Sequence, residues 1–143
     1  MITDNRKLRI ELDIDKNNQW FATLYVQLGG VYRSVQFKID TGCNALVLSH
    51  KTLKRLGFTV DKKSLAALPD MPGKLASGET STFKKLGGVA LFQDIKRAIP
   101  VCNANAICHA TRQTNDLLGT EVLYQFIDVN FKLRNERYLE LVK

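Results

Sequence analysis

Cysteine, proline and histidine are scarce in this chain of 143 residues, with three, three and two copies. An odd set of cysteines is a poor basis for a disulfide framework. No spacing among Cys43, Cys102, Cys108 and His109 matches a zinc template, and a fourth ligand is missing. Buried free thiols are the expected state, with no metal and no cofactor. Neither His50 nor His109 has an evident orienting partner, which argues against a Cys-His hydrolase. Prolines this sparse mark no linker, and no repeat or low-complexity segment occurs, so residues 1–143 are expected to form a single domain. No apolar run approaches the roughly 20 residues that cross a bilayer as a helix. The start, Met1 to Lys7, lacks the charged-then-apolar order of a signal peptide. A cytoplasmic protein, or a domain excised from a larger one, is the resulting expectation, with no membrane partner.

Positive charge is present in excess, with a formal net charge of +7. Clustered Lys and Arg would suggest a phosphate backbone as partner. Here Lys51, Lys54 and Arg55 share one probable helix, while Lys62-Lys63, Lys84-Lys85 and Lys96-Arg97 are isolated pairs. Aromatic side chains do not interleave with them as a base-stacking platform requires. Solvated faces are the better reading, and no nucleic-acid partner is expected.

The dominant pattern is alternation with period two, which places apolar side chains on one face of a strand. Leu8, Ile10, Leu12 and Ile14 alternate with charged residues, and the polar run 15–19 reads as a turn. A second strand from Trp20 to Gln27 closes at Gly29-Gly30, a natural hairpin turn. The return strand carries Val35, Phe37 and Ile39 on one face and ends at Asp40. Ser49 is placed to cap a helix through Leu56, with Gly57 ending it. Residues 58–74, with Pro69, Pro72 and Gly73, read as a loop. Strand-like stretches follow at 74–86, 89–92 and 98–102. Thr114 or Asn115 is placed to cap a second helix over 116–124. The end alternates again around Val129, Phe131 and Leu133, and from Tyr138 to Val142. Many short strands with one or two short helices predict an all-β, barrel-like fold.

One segment carries chemistry: Phe37-Lys38-Ile39-Asp40-Thr41-Gly42-Cys43. It sets a carboxylate where an alternating strand ends in a glycine-containing turn. The strand holds the carboxylate stiffly, and the glycine lets backbone approach a ligand closely. Taken alone, an aspartate at a strand end is more often a turn residue than a catalyst. The context is what distinguishes Asp40. The hydrophobic-Lys-hydrophobic-Asp-Thr-Gly-Cys order behind a glycine-turned hairpin resembles the active-site loop of the retropepsin-like aspartic proteases. A second match, Leu117-Leu118-Gly119 followed by Val122-Leu123, resembles that family's later hydrophobic-hydrophobic-glycine motif. Between them, 76–80 falls where family members have a flap hairpin over the substrate. The resemblance covers about 20–142, and residues 1–19 add an N-terminal strand.

The resemblance implies a retropepsin-like closed β-barrel, half of an acid protease, assembled as a two-fold homodimer. It implies an aspartic endopeptidase acting on a peptide or protein substrate. Only one Asp-Thr-Gly occurs, so Asp40 and its copy in the partner would form the catalytic pair. Thr41 and Gly42 would form the active-site loop and dimer brace. Gly42, Cys43, Asn44, Ser77, Gly78 and Glu79 would contact substrate. Cys43 departs from the Ala, Ser or Thr usual at that position, and a small apolar filler is favoured over an oxidation switch. The terminal strands, Lys7–Ile14 and Tyr138–Val142, are expected to form the dimer sheet. The alternative is a catalytically silent retropepsin-like module for dimerisation or peptide binding.

Overall fold

The computed structural model describes residues 6–74 and 80–143. The alternation of the first strand folds as β1 (Lys7–Ile14), whose Leu8, Ile10 and Leu12 are buried while their neighbours face water. Next come β2 (Trp20–Leu28) and β3 (Val31–Ile39), joined at Gly29 and Gly30. Both glycines have positive φ, 59° and 84°, the backbone that a tight two-residue hairpin demands and that side chains resist. β4 (Leu46–Val47) then leads to Ser49, whose hydroxyl accepts the Thr52 N–H and starts α1 (His50–Arg55). Gly57, at φ 86°, ends that helix as expected.

Residues 58–74 depart from the predicted loop. They hold α2 (Lys62–Ala66), capped by the Asp61 carboxylate, and β5 (Asp70–Lys74). Pro72 obscured β5, since proline donates no ladder hydrogen bond. It is tolerated here because β5 lies at one end of the sheet order. The separate stretches predicted at 74–86 and 89–92 are one long strand, β6 (Thr80–Asp94), followed by β7 (Ile99–His109). Register shifts near Gly87 and Phe92 bend β6, which pairs with β7 along most of its length and also with β5 near its start and β2 near its end.

The helix predicted over 116–124 is also shorter. Leu117–Leu118 form a strand, β8, and only Thr120–Leu123 are helical, as α3. Tertiary pairing overrides local preference, because β8 fits between β3 on one side and β4 on the other. The chain ends in β9 (Asp128–Lys132) and β10 (Tyr138–Val142). Three helices thus stand among the described residues, where one or two were expected.

The ring β2-β3-β8-β4-β7-β6 closes because β6 returns to β2 through Tyr25↔Phe92, Val26↔Leu91 and Gln27↔Ala90. The fold is an all-β closed barrel, as the sequence predicted. Leu24, Val26, Val35, Phe37, Leu46, Leu48 and Leu91 fill it, each at most 1 % exposed. A smaller apolar cluster of Ala45, Val47, Phe83 and Ile107, with Cys43, Met71 and Leu117 against it, joins the Asp40 region to the β5–β6 hairpin.

β1 and β10 pair antiparallel within one chain, from Lys7↔Val142 to Glu11↔Tyr138. All five residues of β10 also pair with β9 on its other edge. The expected dimer sheet built on Tyr138–Val142 is therefore corrected. Both edges of that strand are already filled inside one chain.

Candidate active site

Asp40 sits where the parallel pair β3 and β8 ends. Its N–H donates to the Leu118 carbonyl at 3.1 Å, extending the ladder to the last residue before the loop. The chain then turns sharply, with the Cys43 N–H donating to the Asp40 carbonyl at 3.1 Å. Inside that turn the Gly42 N–H donates to Asp40 Oδ1 at 3.0 Å. A Cβ at residue 42 would stand 3.3 Å from that same oxygen, so glycine gives the carboxylate its close backbone contact. Asp40 is half-buried, whereas Thr41, Gly42 and Asn44 are exposed around it. The loop thus presents a fixed carboxylate at an accessible rim.

The Leu117-Leu118-Gly119 segment forms the opposite wall. Gly119 is buried, and a Cβ there would lie 2.4 Å from both the Cys43 and Ala45 carbonyl oxygens. Only glycine lets α3 begin this close to the loop. The Thr120 N–H donates to the Cys43 carbonyl at 2.9 Å, and the Glu121 N–H to the Asn44 carbonyl at 2.7 Å. The second motif read in the sequence is thus a clamp on the first. Leu118 contributes a buried side chain and Gly119 an absent one.

Cys43 is half-buried, and its thiol donates to the Ala45 carbonyl at 3.5 Å. Burial pushes the thiol pKa up, the Ala45 backbone offsets part of that rise, and the nearby Asp40 charge adds a smaller upward push. A thiol held protonated is a poor nucleophile, which suits the filler role and not the oxidation switch. Cys102 and Cys108 are likewise free, each pushed up to about 11 by burial.

Asp116 is a structural residue that sequence reasoning misplaced, as the first turn of a helix. One of its carboxylate oxygens accepts the Ser49 N–H at 2.7 Å and the other the Thr52 hydroxyl at 2.8 Å. Its carbonyl accepts the Lys38 N–H at 2.9 Å. It therefore ties the start of α1 to the strand that delivers Asp40. An acidic residue preceding two leucines carries no local signal of such a long-range role.

β5 and β6 form the arms of a hairpin, in register from Asp70↔Lys84 to Lys74↔Thr80. The expected substrate contacts Ser77, Gly78 and Glu79 fall in 75–79, outside the described residues. The base of this hairpin holds a feature the sequence did not reveal. His109 is buried, its Nδ1 lies 3.0 Å and 2.8 Å from the Thr111 and Arg112 N–H donors, and its Nε2 meets the Ser81 hydroxyl at 2.5 Å. Two donors at Nδ1 require that nitrogen to be unprotonated, so the proton sits on Nε2 and is donated to Ser81. The pair is a brace and not an activated serine.

No known protein family and no curated protein sequence matches the chain. Its structure is similar to the crystal structure of a retropepsin-like aspartic protease from Rickettsia conorii. The TM-score is 0.59 over 94 % of this chain and 90 % of the other, at 18 % sequence identity. At that identity the likeness concerns the fold: the chain has the barrel architecture of a retropepsin-like aspartic protease. No helix among the described residues is long and apolar enough to cross a membrane.

Proposed function

We propose that this protein is an aspartic endopeptidase whose catalytic centre is Asp40 paired with Asp40 of a second copy. The observation that carries the proposal is the Asp40 turn itself. A half-buried carboxylate is held by the Gly42 N–H at the rim of a barrel, and a wall admitting only glycine clamps its loop. The shared fold with a retropepsin-like protease supports the same reading.

In the aspartic mechanism one carboxylate takes a proton from water and a second, protonated one polarises the scissile carbonyl. A single Asp-Thr-Gly supplies half of this pair. Across a two-fold axis, two such groups share one proton, since like charges a few Å apart resist ionising together. Aspartic-protease dyads are the standing example of that coupling. In the proposed dimer Thr41 braces the two loops across the axis, and Gly42 offers its carbonyl to substrate. Cys43 and Asn44 line the approach, and Ser77, Gly78 and Glu79 are the further substrate contacts proposed from the family resemblance. Turnover is expected from acidic to neutral pH, where the pair retains one proton.

The test is cleavage of a diverse peptide library at pH 4 to 7.5 by the wild type and Asp40→Asn. Asparagine keeps the shape and cannot share the proton. Cleavage by the wild type alone supports the proposal. No cleavage by a folded, dimeric wild type favours a silent module for dimerisation or peptide binding.

A further inference from the structure

We propose that the outer edge of β3, from Tyr32 to Gln36, docks an acidic, extended segment of another protein, gripped by Arg33 and Arg55. The inference stands apart from the Asp40 chemistry. β3 pairs with β2 on one side, from Val31 to Lys38. Among the described residues its other side pairs only with β8, at Lys38 and Ile39. In an antiparallel pair, alternate residues turn their backbone groups toward and away from the partner strand. The Lys38 N–H points away from β2, since it donates to the Asp116 carbonyl at 2.9 Å. That phase carries back to Gln36, Ser34 and Tyr32. Tyr32, Arg33, Ser34 and Gln36 are all exposed, so this stretch of edge is open to water. An open strand edge is a template for an extended chain.

Two arginines set the chemistry of that edge. Arg33 Nη1 donates to the Tyr32 carbonyl at 2.7 Å, and Arg55 Nη2, reaching over from α1, donates to the Ser34 carbonyl at 2.8 Å. Both carbonyls are therefore occupied, and the edge is rich in donors. A neutral strand, which must donate as well as accept, gains little there. A guanidinium carries several N–H donors in a fixed fork, so one bond to a carbonyl orients it and leaves the others free. Both arginines are exposed, and neither forms an ion pair among the described residues. Lys51 and Lys54 add exposed positive charge on α1, whose first turn holds no acidic residue. The carboxylate of Asp13, on the far side of β2, already accepts from Gln36 Nε2 at 3.1 Å. What the edge lacks is negatively charged acceptors, and carboxylates meet an oriented fork through paired bonds. The net charge of +7 favours the approach of such a partner. The N–H groups of Ser34 and Gln36 face the same slot at strand spacing, which fits peptide carbonyls and favours a protein segment over a phosphate chain.

The experiment follows the fluorescence anisotropy of a labelled oligoglutamate peptide titrated with the full chain at about 0.1 M salt, where charges beyond about 10 Å are screened. Replacing both arginines by alanine is expected to weaken binding about tenfold or more. Arg33→Lys with Arg55→Lys keeps the net charge and loses the fork, and about a fivefold loss is expected. Lys62→Glu with Lys63→Glu, on α2, removes more positive charge than the alanine pair and is expected to bind within about twofold of the wild type. Circular dichroism confirms that each variant is folded. Full binding by the lysine pair, or an equal loss in the α2 control, would mean diffuse attraction and overturn the site. So would a wild type that does not bind. A labelled oligothymidylate that binds more tightly than the peptide, with the same dependence on Arg33 and Arg55, would assign the edge to a phosphate chain and overturn the protein partner.

Discussion

Gly119 is the residue on which the candidate site leans most. An added methyl would meet two carbonyl oxygens of the Asp40 loop at 2.4 Å, and both belong to backbone that cannot rotate away. Gly119→Ala is expected to cost about 1–3 kcal/mol, the usual range for forced overpacking, and to lower activity beyond that. Urea unfolding read beside cleavage checks both effects. Asp116→Ala strips the Ser49 N–H and Thr52 hydroxyl of their shared acceptor in a buried setting. A loss of about 1–3 kcal/mol is expected, again by urea unfolding. Cys43→Ala is expected to leave cleavage intact, because its raised thiol pKa and apolar neighbours fit a space-filling role. Inactivation of that variant, or fast alkylation of Cys43 in the wild type at neutral pH, would contradict this.

At the scale of elements, the hairpin arms β5 and β6 are anchored to β7 by His109 and Ser81. Burial lowers the His109 pKa, and the nearby Arg112 and His50 charges push the same way. A histidine whose folded pKa lies below its unfolded value binds fewer protons folded than unfolded. Its contribution is therefore intact above about pH 6.5 and is lost as pH falls through the lower folded value. The hairpin base is expected to loosen in acid, with faster amide exchange in β6 and β7. In His109→Gln that extra acid-induced exchange is expected to be much reduced. An identical acid response in the variant would exclude His109 as the cause.

The elements also show what was legible in the sequence. β1, the β2–β3 hairpin and α1 were readable because alternation, paired glycines and Ser49/Gly57 act locally. β5 and β8 were not, and the helix expected over 116–124 shortened to α3, because non-local partners decide them. Pro72 is tolerated only at a sheet end, and Leu117–Leu118 become a strand only between β3 and β4. The same division runs through the site. Asp40 and Leu117-Leu118-Gly119 were found by motif, whereas Asp116 and the His109–Ser81 brace join residues far apart in the chain.

At the scale of the whole molecule, one barrel holds one Asp-Thr-Gly loop, and the chemistry proposed for it needs two. The central claim is that both Asp40 carboxylates act on one water. The most direct measurement titrates wild-type protein with Asp40→Asn at fixed total concentration, after exchange of subunits, and follows peptide cleavage. If two Asp40 side chains are required, activity falls as the square of the wild-type fraction, to about a quarter in an equal mixture. A linear fall, to about half at that point, would mean that each chain carries its own complete site, and the paired-carboxylate account would be wrong.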